Sequence, residues 1–131
     1  MRCVRIANLI AIDTSSLRRW SRDERGSDVR RTDEAILIGE AALPPIVLAE
    51  ALSSPAVEQP FIDFVLTIPL LEIEEGYWRR AGDLRRNILR DGYKAKLSDV
   101  LIAQACIDKA VALITHDADF RHFLRAGLKL A

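Results

Sequence analysis

Residues 9–16 read LIAIDTSS: four apolar residues, an aspartate, then three small hydroxyl-bearing residues. A short apolar run bounded by turn-forming residues reads as a buried strand, Leu9–Ile12, giving way to a turn and helix cap at Asp-Thr-Ser-Ser. A carboxylate where a core run ends costs stability unless something compensates it. The same juxtaposition recurs three times: Glu50 closes PPIVLAE, Asp99 lies in KLSDVLIAQA, and Asp117 lies in ALITHDADF. Four carboxylates converging on one spot would repel one another, and a divalent cation is the simplest remedy.

From this start the chain reads as strands alternating with helices. A short helix comes next, around Leu17–Trp20, and the polar, charged stretch 21–31 reads as a loop. Thr32-Asp33-Glu34 opens a second helix, with a capping threonine and acids in the first turn; Gly39 weakens it and Pro44-Pro45 ends the region. Ile46–Leu48 reads as a short strand, with Glu50 at the turn into the next helix. Ser53-Ser54-Pro55 is punctuation. A helix is expected over about Val57–Thr67, with Pro60 in its first turn, then a strand at Leu70–Ile73. Trp78, Ala81, Leu84, Ile88 and Leu89 keep helical spacing, so a long amphipathic helix is expected from about Glu75 to Arg90, stopped by Gly92. Ser98 caps a largely apolar helix from Asp99 to about Lys109. Val111–Thr115 is the fourth strand, Asp119–Leu124 a short helix ending at Gly127, and Leu128–Leu130 an edge strand. The alternation predicts an α/β fold with a mainly parallel sheet of four to five strands. In such sheets the functional crevice lies beyond the carboxyl ends of the strands, where Asp13, Glu50 and Asp117 fall on this reading.

The 131 residues suit one domain, and half of them are apolar, enough for a core. Nineteen acids balance nineteen bases, which excludes an overall positive field for drawing in a polyanion. The charges are segregated, however. Nine acids and no Lys or Arg lie between Thr32 and Trp78, whereas seven bases face two acids between Arg79 and Lys96. Such a run ordinarily forms a solvated, salt-bridged surface. It also supplies candidates for phosphate contact: Arg79, Arg80, Arg85, Arg86, Arg90, Lys94 and Lys96. Cys3 and Cys106 form neither a disulfide framework nor a metal spacing; Cys106 reads as a small buried hydrophobe. Two lone thiols suit a reducing cytoplasm. The start, MRCVRIANLIAI, faintly imitates a signal peptide, but its apolar stretch is short, broken by Asn8, and lacks a cleavage site. No apolar run approaches a membrane span.

Mg²⁺ and Mn²⁺ favour hard oxygen ligands, and a carboxylate cluster can hold one or two such ions to activate a water against a phosphodiester. No Gly-rich phosphate loop, GxSxG or zinc-type His/Cys spacing offers another catalyst. Each acid also has an ordinary structural reading. Asp13 could be a turn or cap residue, Glu50 and Asp99 could serve helix dipoles, and Asp117 and Asp119 could cap the last helix. His116 and His122 read as loop and surface residues. The joint placement of the four acids is what favours a site.

In the segments IAIDTSSL, LPPIVLAEAL, YWRRAGDLRRNILRDG, LSDVLIAQACI and ALITHDADF, and in their order and spacing, the chain resembles a PIN domain, and specifically the VapC-type toxins of bacterial and archaeal toxin–antitoxin systems. The likeness runs from Leu9 to Leu130. It implies a three-layer α/β/α sandwich and a Mg²⁺- or Mn²⁺-dependent endoribonuclease leaving a 5′-phosphate and a 3′-hydroxyl, with structured tRNA or rRNA loops as the suggested substrates. Asp13, Glu50, Asp99 and Asp117 fall on the four acidic positions, which the resemblance makes both catalytic and metal-binding. Thr14 or Ser15 falls on the small polar position beside the first acid, and Thr115 on the hydroxyl position before the last. Asp119 is a second candidate in THDADF, for a further ion or for fixing the loop. The residues before Leu9 depart from the family, which often begins almost at its first strand. The resemblance further implies a VapB-like antitoxin laid across apolar helix surface and a homodimer. Trp20 and Trp78 are candidate contacts, with core packing their ordinary alternative. The competing reading is a catalytically inactive PIN-like module that binds RNA or protein. A phosphoacceptor domain fits poorly, because Lys109 and Lys129 are misplaced. A branched-DNA nuclease would need insertions that this chain lacks.

Overall fold

The computed structural model describes residues 8–131, so Cys3 and the rest of the leader before Asn8 lie outside it. The elements run β1 (Ile10–Ile12), α1 (Thr14–Ser21), α2 (Ser27–Leu37), β2 (Ala41–Ala42), α3 (Pro45–Leu52), α4 (Gln59–Val65), α5 (Tyr77–Arg90), α6 (Leu97–Lys109), β3 (Ala112–Ile114), a 3₁₀ helix (Ala118–Ala126) and β4 (Lys129–Leu130). The four strands form an all-parallel sheet in the order β2-β1-β3-β4. Ile10 lies opposite Ala41 and Ala112, and Ala112 opposite Lys129. Helices flank the sheet: α1 packs on α2 and α3, α5 on α6, and α6 on β3. The result is an α/β/α sandwich of the expected class.

Strands this short hold because both faces are covered. Ala11, Ile12, Leu113 and Ile114 are at most 1 % exposed, joined by Leu17 from α1, Val47 from α3 and Val100 from α6. The central strands β1 and β3 lie side by side and in register, Ile12 opposite Ile114. Their carboxyl ends therefore deliver neighbouring segments to one edge of the sheet: Asp13 leaves β1 beside Thr115 to Asp117 leaving β3.

Several local expectations are corrected. The stretch 21–31 is not all loop: Gly26 caps α2, which starts at Ser27. Thr32 is inside that helix, donating to the Asp28 carbonyl at 2.8 Å, and does not cap it. Ile46–Leu48 is helical, within α3, and the strand is Ala41–Ala42 upstream. Pro45 accounts for the difference: it stands in the first turn of α3, where its missing N–H costs nothing, so it starts a helix instead of ending a region. Glu50 thus projects from a helix and not from a strand end. Of Leu70–Ile73 only Leu70 pairs, bridging to Leu43. Helix α6 begins one residue before Ser98, which does not cap it; the N-cap is Lys96, without a side-chain bond. The final helix is 3₁₀, anchored by buried Phe120 and Phe123.

Candidate active site

Asp13 is the best-defined member. It is 2 % exposed and caps α1, its Oδ1 accepting from the Ser16 N–H at 2.8 Å. Ser15 Oγ lies 3.1 and 3.0 Å from the two carboxylate oxygens. The Thr115 hydroxyl donates to Oδ2 and itself accepts from the Asp117 N–H at 3.0 Å. One hydroxyl thereby ties the loop after β3 to the acid after β1. Burial pushes the Asp13 carboxyl above its ordinary range, against the hydrogen bonds from Thr115, Ser16 and Ser15.

Glu50 reaches the same region from α3. Thr14 Oγ1 donates to Glu50 Oε1 at 2.6 Å, and Arg18 Nη2 donates to the Glu50 carbonyl at 2.7 Å. The two candidates for the small polar position thus divide the work: Ser15 serves Asp13, and Thr14 serves Glu50. Asp99 stands in the first turn of α6. Its carboxyl is pushed up to about 6, first by burial and then by the like charge of Asp117; Lys96 opposes, while Glu50 and Asp13 add to the rise. Asp99 thus lies within reach of the charges of the other three predicted acids. Asp117 caps the 3₁₀ helix by accepting from the Asp119 N–H at 2.9 Å, so Asp119 steadies that loop through its backbone.

Among the described residues, no three His, Cys, Asp or Glu side chains stand close enough together to hold a metal ion between them. A hard cation such as Mg²⁺ suits the donors all the same, because it keeps several waters and is usually bound through one or two carboxylates. An ion at this site would therefore be reached partly through water and not be enclosed by protein.

The basic run is largely engaged elsewhere. Arg80 grips Asp108 at 2.7 and 3.0 Å, Arg85 donates to the Ala95 carbonyl at 2.9 Å, and Arg86 pairs with Asp83 at 2.8 Å. Arg79 lies 3.6 Å from Asp83. Of the seven candidates, Lys96 is the one whose charge acts on Asp99. His122 stacks on Tyr93 with ring centroids 4.8 Å apart. Trp20 packs against Phe64 and donates to Asp33, whereas Trp78 is 68 % exposed.

Sequence reasoning overlooked Ser16 and Asp28. Asp28 is 4 % exposed and accepts from Ser16 Oγ and Arg19 Nε, each at 3.0 Å, with His116 Nδ1 3.7 Å from its other oxygen. Burial pushes its carboxyl up, but the hydrogen bonds from Arg19 and Ser16 outweigh this and hold it below its ordinary range. The usable signal was Gly-Ser-Asp at 26–28, a helix start hidden in a charged run.

Known proteins share this fold. The PIN domain profile matches residues 10–125, and the chain belongs to the PIN domain family. No curated protein matches it in sequence. Among solved structures, it is similar to a chain in the crystal structure of VapBC2 from Rickettsia felis bound to a DNA fragment from their promoter. That superposition has a TM-score of 0.70 at 21 % identity, and covers 94 % of this chain and 97 % of the other. The likeness is one of fold. Among the described residues no helix is long and apolar enough to cross a membrane.

Proposed function

We propose that this PIN domain is a divalent-metal-dependent endoribonuclease of the VapC type, acting as the toxin of a toxin–antitoxin pair. The observation that carries the reading is the PIN domain match together with the hydroxyls of Thr115 and Thr14, which join Asp13 to the loop of Asp117 and Glu50 to the Asp13 turn. The rise of the Asp99 carboxyl under burial and the charge of Asp117 accords with it. Acids tuned in this way by their neighbours cluster at functional sites. Asp13, Asp99 and Asp117 would hold Mg²⁺ or Mn²⁺ directly or through water, with Glu50 orienting water or accepting a proton. The ion, when bound, lowers the pKa of a water and screens phosphate charge.

The chain's own residues supply orientation. Thr115 and Ser15 hold Asp13, Thr14 holds Glu50, and Lys96 offers a cation for a substrate phosphate beside Asp99. On this reading a VapB-like antitoxin would bind near Glu50. A cleft of about 360 Å³ lies between Arg18, Arg22, Ala51, Val57, Glu58 and Phe61, and its mixed apolar and charged lining would suit an amphipathic segment. Pairing of two copies as a homodimer is the default for small chains.

The test is RNA cleavage by the purified chain with Mg²⁺ or Mn²⁺, using EDTA as control. Asp13→Asn should abolish cleavage and leave the fold intact. Full activity in that variant would refute the assignment. RNA binding without EDTA-sensitive cleavage would favour the inactive binding module.

A further inference from the structure

We propose that Asp28 is the positioning residue of this centre: from α2 it fastens the Asp13 turn and stands over the loop bearing Asp117, setting how the two acids are presented. The proposal rests on the metal-nuclease reading. Its basis is a set of contacts converging on one buried carboxylate. Ser16 is shared between two acids, its N–H donating to Asp13 Oδ1 at 2.8 Å and its hydroxyl to Asp28 Oδ2 at 3.0 Å. The peptide N–H that orients Asp13 therefore belongs to a residue whose side chain Asp28 holds. On the other side, His116 Nδ1 lies 3.7 Å from Asp28 Oδ1. His116 sits between Thr115, which bonds Asp13, and Asp117.

The surroundings hold this carboxylate in one place. Arg19 reaches Asp28 with Nε at 3.0 Å, and its other nitrogens go to Glu24 at 3.0 Å and the Arg25 carbonyl at 2.7 Å. The arginine is thus anchored on three sides, and Asp28 cannot swing toward an ion without leaving it. Gly26 makes the arrangement possible: a Cβ there would lie 2.7 Å from Asp28 Oδ1 and 2.8 Å from Arg19 Nη2. A surface ion pair needs neither this burial nor this clearance. Buried partners that orient ligating side chains act on an ion they never touch.

The Arg80–Asp108 pair, at 2.7 Å, supplies the control, because it joins α5 to α6 and bonds to none of the four acids. Mn²⁺ affinity is measured by titration calorimetry or by the paramagnetic signal of free Mn²⁺, alongside kcat and KM for RNA cleavage and the thermal midpoint. Asp28→Asn should weaken Mn²⁺ binding and lower kcat, each by about 10- to 100-fold, with KM changed less than about twofold. Ser16→Ala keeps the Asp28–Arg19 pair, so the fold survives. It should reproduce part of both losses with a smaller fall in midpoint than Asp28→Asn, because the Arg19 bond to Asp28 remains. Asp108→Asn should lower the midpoint yet leave Mn²⁺ affinity and kcat as in the parent. Parental Mn²⁺ affinity in both Asp28→Asn and Ser16→Ala overturns the proposal while leaving the nuclease reading standing. If the unaltered chain neither binds Mn²⁺ nor cleaves RNA, both fall together.

Discussion

Thr115 shows how much one hydroxyl can carry: it donates to the carboxylate of Asp13 and accepts the N–H of Asp117. Thr115→Val keeps the shape and removes both bonds, leaving a buried carboxylate short of a donor. The expected loss is about 1–3 kcal/mol, read from denaturant unfolding at pH 7. Asp99 works in the opposite sense. Its folded-state carboxyl titrates near 6, against 3.8 ordinarily, so between those values the folded chain binds more protons than the unfolded one. Stability contributed by that proton is lost as pH rises through this window. Asp28 and Asp108, held low by their arginines, contribute stability present above the ordinary range and lost as pH falls below it. The metal-free chain should therefore be most stable in mild acid. Asp99→Asn should raise its stability at pH 7.5 by about 1–2 kcal/mol. An unchanged thermal midpoint there would show that the four acids do not strain one another. Mn²⁺ should stabilise the parent strongly at pH 7.5 and little at pH 5, where Asp99 is protonated.

The secondary-structure elements divide into those with a plain periodic signal and those held by particular contacts. Helix α5 was legible because Ala81, Leu84 and Ile88 form a buried stripe. Helix α2 was legible only from Thr32 onward, because its first turns lie in a charged run where Asp28 is buried against Arg19. The β-branched residues of Ile46–Leu48 suggested a strand, but propensity yields to tertiary packing, and the segment lies in α3 behind Pro45. The end of α6 offers a clean test. Ala110 closes it with φ 54°, in the left-handed region where a Cβ is crowded. Ala110→Gly should stabilise the chain by about 0.5–1 kcal/mol, visible as a higher thermal midpoint. In the 3₁₀ helix Phe120 and Phe123 are each 1 % exposed, with rings 5.9 Å apart. Phe123→Ala should cost about 3–5 kcal/mol by equilibrium unfolding.

For the molecule as a whole, the sheet order brings β1 and β3 together at the centre, and the approach of Asp13 to the loop bearing Asp117 is a consequence of that adjacency. The same burial silences Cys106, which is fully enclosed and has its thiol pushed up to about 12 by desolvation, with the charge of Asp13 adding to the rise. In a Cys3→Ser background, Cys106 should react with a thiol reagent only as fast as the chain opens, giving a measure of global stability. Fast labelling under native conditions would show that α6 opens locally. The charge segregation acts at this level too: RNA binding should weaken as salt rises, and Lys96→Ala should reduce that dependence more than Arg80→Ala, because Arg80 is committed to Asp108.

Short apolar runs broken by acids already announced an α/β chain and singled out Asp13, Glu50, Asp99 and Asp117 as candidates, because burial cost and strand length act locally along the chain. The partners of those acids were a different matter. That Thr115 would meet Asp13 across 102 positions, that Thr14 would serve Glu50, and that Asp28 would lie buried between Ser16, Arg19 and His116 are consequences of strand order and helix packing. Hydrogen bonds act over about 3 Å. Nothing in the linear spacing could bring those atoms within that reach until the sheet had closed.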